Sequence, residues 1–101
     1  MIIREWRGRA DAARPDAYPT HFRTHVVPDL RKLSGFRGAT LMRRTLGSRI
    51  EFVVLSRWDT LESVQAFAGA DVSRSIVEPG GVAALLEFDS TAQHFEVIES
   101  V

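Results

Sequence analysis

The residues of this chain that can do chemistry are few. It holds three histidines and no cysteine. His21 and His25 stand four apart, which brings two imidazoles to one helical face, but the acid of an HExxH pattern is missing. No metal site is expected, and a solvated or helix-edge pair is the preferred account, with packing alone able to explain His21. His94 alternates with Glu96 on one face of a late strand. An imidazole that titrates near neutrality can act as a general base. His94 is therefore the candidate base, and a structural hydrogen bond fixing the last strand is its competing use. Arg4 and Arg44 are candidates to stabilise an oxyanion. Trp6 and Phe67 can stack on a planar substrate, and His21, one turn after Tyr18, can line the same site. Aromatic side chains also simply fill cores. No phosphate-binding loop is present, since Gly35-x-x-Gly38 lacks a third glycine and follows a helix, and no Ser, His and Asp set stands out as a triad.

Positioning these side chains requires a single domain over residues 1–101, whose 45% hydrophobic composition is ample for one core. Ile2 to Gly8 is a first strand. Tyr18, Phe22, Val26, Leu30 and Leu33 then recur at helical spacing, with Asp16 as cap, Pro19 in the first turn and Pro28 as an interior kink. Gly35 ends that helix through a left-handed cap. Phe36–Leu46 and Ile50–Trp58 flank Gly47-Ser48, a type II′ hairpin loop. Asp59 with Glu62 resembles a capping box for a helix carrying Leu61, Val64 and Phe67 and ending at Gly69. Asp71 to Val77 is expected to add a short helical turn. Val82 to Phe88 reads equally as helix or strand, and Gln93 to Ile98 as the last strand.

The order β-α-β-β-α-(extra)-β predicts an α+β, ferredoxin-like antiparallel sheet with helices on one face. Ile2, Arg4 and Trp6 form one side of the first strand. Trp6 is uncomfortable on a face that meets water, so a second subunit is expected to cover the open face, to which Arg4 and Arg44 are also assigned. Two places offer a cavity: between the paired sheets, where His94 and Glu96 would point, and between sheet and helices.

Thirteen basic and thirteen acidic residues cancel, so no strong field draws nucleic acid or an anionic membrane. The arginines from Arg4 to Arg44 lean the first half positive, which suits solubility or an anionic ligand. No apolar run approaches a membrane span, the first residues lack a signal peptide's apolar core, and cytoplasmic residence is expected.

The pieces Ile3-x-x-Trp6, Tyr18-x-x-His21, Gly35-Phe36-x-Gly38-Ala39, Glu51 through Trp58, Phe67-Ala68-Gly69 and His94-Phe95-Glu96-Val97 together resemble the antibiotic biosynthesis monooxygenase family over nearly the whole chain. The resemblance implies a homodimeric α/β barrel with two sheets face to face. Some members of that family oxygenate polycyclic phenols or quinols without metal or flavin, others bind and degrade haem, and many have no assigned activity. The haem degraders carry a tryptophan in the second helix and an axial histidine ten residues later. Those positions look like Phe67 and Val77 here, and valine cannot ligate iron. The expected function is a monooxygenase without cofactor acting on a small aromatic phenol or quinol. His94 would be the base, Arg4 or Arg44 would hold the anion, and Trp6, Phe67 and His21 would line the site. The alternative is a non-catalytic dimeric barrel that binds a small hydrophobic molecule or serves as an accessory subunit.

Overall fold

A computed structural model describes all 101 residues. Its elements run β1 (Ile2–Asp11), α1 (Ala17–His21), a π turn (Phe22–Val26), α2 (Val27–Arg31), β2 (Phe36–Leu46), β3 (Arg49–Trp58), α3 (Leu61–Ala68), α4 (Pro79–Ala84), β4 (Glu87–Phe88) and β5 (Gln93–Glu96). The sheet is antiparallel throughout in the order β2-β3-β1, and both β4 and β5 pair with the far edge of β1. This is the split βαβ arrangement expected from the element order. No helix is long and apolar enough to cross a membrane.

The first helical stretch holds together although Pro28 has no N–H to give. The chain widens one turn instead of breaking: Val27 N–H donates to Phe22 O, five residues back. The Thr24 hydroxyl meanwhile donates to Thr20 O at 2.8 Å. The kink expected at Pro28 thus takes the form of a π turn just before it. Asp16 precedes α1 without lending its side chain to the cap. The capping box of α3 lies one residue later than expected. Thr60 Oγ1 accepts from Ser63 N–H at 3.1 Å, and Ser63 Oγ accepts from Thr60 N–H at 3.3 Å. Asp59 instead grips Arg37 through two hydrogen bonds of 2.6 Å. No helical element forms between Asp71 and Val77, which runs as a turn and an extended segment. The ambiguous stretch from Val82 to Phe88 is both things in succession, the end of α4 and then β4.

Glycines hold the connections. Gly47 has φ +61° and Ser48 has a negative φ, as a type II′ turn requires, and Gly35 ends the helical stretch at φ +85°. The core lies between sheet and helices in two clusters. Trp6, Ala10, Tyr18, Phe22, Ile50 and Phe52 belong to one. Leu30, Trp58, Val64 and Ala68 make the other.

Candidate functional site: a cavity between sheet and helices

β1 and β3 place every second side chain on the helix side of the sheet. Their register sets Arg4 beside Ser56 and Trp6 beside Val54. These four side chains floor a cavity of about 350 Å³ between the two core clusters. One wall is the stripe of Tyr18, Phe22, Val26, Leu30 and Leu33, with His21 next to it. The stripe expected to be core is thus partly a cavity wall. Ala66 and Phe67 of α3 close the opposite side, and residues 76–78 complete the rim. Asp29 and Glu78 bring exposed carboxylates to that rim.

Arg4 is the unusual member. It is only 4% exposed, and no carboxylate lies within ion-pair distance of it. Its Nη1 donates to Val72 O and to His94 Nε2, the latter at 3.1 Å, and its Nη2 donates to Arg74 O at 2.8 Å. The guanidinium also stands 5.5 Å from the centre of the Phe67 ring. Burial without a counter-charge pulls its pKa down to about 10. The Nε–H and one Nη2–H have no protein acceptor. Ser56, also 4% exposed, accepts from Trp58 Nε1 at 2.9 Å, which leaves its own proton free to donate.

Trp6 faces this cavity and anchors its indole N–H on Ser75 Oγ at 2.8 Å. Its ring lies 5.6 Å from Tyr18. The Tyr18 hydroxyl has no protein partner and is not sealed from solvent. Burial, with Glu78 adding to it, pushes its pKa well above the ordinary tyrosine value. His21 packs edge-on to α4. A methyl group placed on Gly80 would stand 2.8 Å from its Nδ1, and one on Gly81 would stand 3.3 Å from its Nε2. Neither ring nitrogen has a protein partner.

Of the residues singled out from sequence, Arg4, Trp6, His21 and Phe67 meet at this cavity. His94 does not line it. Its Nε2 lone pair is taken by Arg4, and burial followed by the neighbouring guanidinium lowers its pKa, so it sits neutral with the proton on Nδ1. Arg44 is on the opposite face, paired across strands with Glu51 and bonded to it at 2.8 Å. The expectation that Arg4, Trp6 and Arg44 share the open face is corrected by register: Arg4 and Trp6 point to the helices, Arg44 away from them. Ser56 and Tyr18 were not singled out as site residues. The sequence signal for Ser56 was the break in the apolar run from Phe52 to Leu55.

No family model and no curated protein matches the sequence. Solved structures do match. The haem degrader MhuD from Mycobacterium tuberculosis, determined with two haems in its active site, superposes with a TM-score of 0.66 at 21% identity, over 100% of this chain and 99% of that one. A protein provisionally named an antibiotic biosynthesis monooxygenase, from Bacillus cereus, superposes with a TM-score of 0.64 at 15% identity, over 99% of this chain and 93% of that one. The resemblance drawn from the sequence therefore holds for the fold, and the chain has from end to end the α+β fold of these two proteins.

Proposed function

We propose that this protein is a monooxygenase that acts without cofactor on a small, electron-rich aromatic phenol or quinol bound between sheet and helices. The observation that carries this reading is the cavity itself, apolar and walled by aromatic rings, with a buried guanidinium in its floor. At about 350 Å³ it falls at the small end of ligand sites. Trp6 and Phe67 would hold the ring plane, and Arg4 would draw the acidic oxygen. His21, the imidazole in the wall, would accept the phenolic proton, a role His94 cannot fill while its lone pair is bound to Arg4. The substrate supplies the electrons to O2. One oxygen atom becomes a quinone carbonyl and the other leaves as water, so no outside reductant is consumed.

Haem is the cofactor that one structural neighbour brings to mind, and the residues here do not fit it. Val77 lines the cavity where an axial histidine would be expected, and it has no donor atom. The imidazole that is present, His21, comes from α1 and not from the segment around Val77.

An oxygen electrode over a panel of anthrols and hydroquinones tests the reading. Wild-type protein should consume O2, and His21→Asn should do so roughly a hundredfold more slowly, the usual contribution of a positioned base. No uptake by the wild type across the panel would sink it. The second reading, a barrel that binds without turnover, would then stand. It is favoured by the capture of His94 by Arg4, which takes one candidate base out of play.

The partner we propose for the open sheet face is a second copy of this chain. Ile3, Val53 and Leu55 form its centre, and Met42 and Phe95 are 40% and 49% exposed beside them. Charges of both signs rim the patch, with Glu51 held by Arg7 and Arg44, as a face that meets its own copy requires. Sedimentation should find a dimer at micromolar concentration, shifted toward monomer by Leu55→Glu. A wild-type monomer under those conditions would overturn it.

A further inference from the structure

Arg4 and Ser56 are neighbours across β1 and β3, both almost fully buried, and both end in donors that the protein leaves unused. We infer that together they form a carboxylate seat, and that the natural ligand is an aromatic acid whose carboxylate rests on Arg4 and Ser56 while its ring lies between Trp6 and Phe67. The inference rests on the cavity being the ligand site, and it narrows the substrate class from phenols to hydroxylated aromatic acids.

A buried cation with no opposing charge is costly, because carbonyl and imidazole dipoles replace only part of its hydration. Arg4 has two carbonyls, one imidazole and one aromatic face, and no acid. The two acids in the cavity wall, Asp29 and Glu78, are exposed at the rim and form no ion pair with it. The missing charge is therefore expected from the ligand.

Ionisation decides which ligand can supply it. A simple phenol, with a pKa near 10, is ionised in only about one molecule per thousand at neutral pH, whereas a carboxylic acid is almost wholly ionised there. A neutral phenol would leave Arg4 uncompensated in most encounters. A carboxylate arrives with its charge and accepts two or more charge-assisted hydrogen bonds, from Arg4 Nε and Nη2 and from the Ser56 hydroxyl. Elsewhere in the cavity wall the unpartnered Tyr18 hydroxyl and the His21 ring can meet a ring hydroxyl.

Matched probes test this. Binding of 1-naphthoate and of 1-naphthamide is measured by calorimetry at pH 7.5. The two share shape and ring system and differ in charge. Wild-type protein should bind the acid at least about tenfold more tightly than the amide, the gain typical of charged hydrogen bonds. Arg4→Gln should bring the two affinities within about twofold of each other by weakening the acid alone, and Ser56→Ala should fall between. Equal affinity for acid and amide in the wild type overturns the inference. So does a loss of both ligands together in a folded Arg4→Gln, the mark of an arginine that only straps Val72 and Arg74 in place. If Arg4→Gln does not fold, Ser56→Ala reads the same preference, and an unchanged ratio there counts against the seat. Oxygen uptake is scored separately. Acid preference without turnover defeats the oxygenase reading alone, and turnover of neutral phenols without acid preference defeats this inference alone.

Discussion

Replacing Trp58 with alanine is expected to lower the melting temperature by roughly 12–40 °C, a cost of about 3–5 kcal/mol for deleting a large buried aromatic from a domain of this size. Trp58 ends β3 and is wholly buried. Its ring meets Phe36 edge-on at 5.3 Å and Phe67 at 6.2 Å, and it belongs to the cluster of Leu30, Val64 and Ala68. Alanine there leaves a cavity that strands, paired on both sides of β3, cannot collapse to fill. A total stability of about 5–15 kcal/mol leaves little after such a loss. Trp58→Phe separates volume from hydrogen bonding. It keeps most of the packing but removes the indole donor to Ser56, and should cost about 1–2 kcal/mol. Thermal unfolding followed by circular dichroism reads both variants. A Trp58→Ala melting point close to that of wild type would show that this half of the core contributes little.

The sequence revealed the skeleton because its signals are local. Gly47-Ser48 sets the hairpin, and the fourfold spacing from Tyr18 to Leu33 sets the helical stretch. The turn of that stretch that becomes π was not legible, since a missing N–H at Pro28 can be absorbed by a kink or by widening. The cap of α3 was misplaced by one residue because Asp59 and Thr60 are both good caps, and the choice falls to Arg37, which comes from β2 to claim Asp59. The largest difference between expectation and structure concerns the faces of the sheet. Alternation sorts Ile2, Arg4 and Trp6 into one set but does not say which side of the sheet the set meets. An arginine in that set argues for water and a tryptophan against it. The set continues through Gly8 to Ala10, which is fully buried. Small residues at Gly8 and Ala10 are what a strand carries on the face that lies under a helical layer. Once β1 is turned, Arg4 stops being a surface cation and becomes a buried one, and the candidate chemistry moves from between the sheets to beneath the helices. His94 moves with it, from base to neighbour of Arg4.

The two glycines legible as turns should behave very differently when changed to alanine, and the difference measures a contact the sequence does not show. Both have positive φ, Gly35 at +85° and Gly47 at +61°. A side chain in that region costs about 1–2 kcal/mol, and Gly47→Ala should cost no more, since nothing lies within 4 Å of the added methyl. At Gly35 the methyl would stand 2.5 Å from Ser63 Cβ and 2.9 Å from Ser63 Oγ. Ser63 is half of the α3 capping box, and Gly35 O accepts from Asp59 N–H at 2.9 Å just before it. The methyl must push the start of α3 away, adding a lost cap of about 1 kcal/mol to the backbone strain. Gly35→Ala should thus cost about 2–3 kcal/mol, a fall of roughly 8–24 °C in melting temperature. Because Ala66 and Phe67 ride on the same short helix, ligand affinity should weaken at Gly35→Ala and hold at Gly47→Ala. A cycle with Ser63→Gly isolates the contact. The double variant should be more stable than the sum of the single costs allows, because the second change removes the Cβ that the first one strikes. Strict additivity, or equal melting points for the two alanine variants, would mean that α3 gives way freely and that the wall it lends to the cavity is soft.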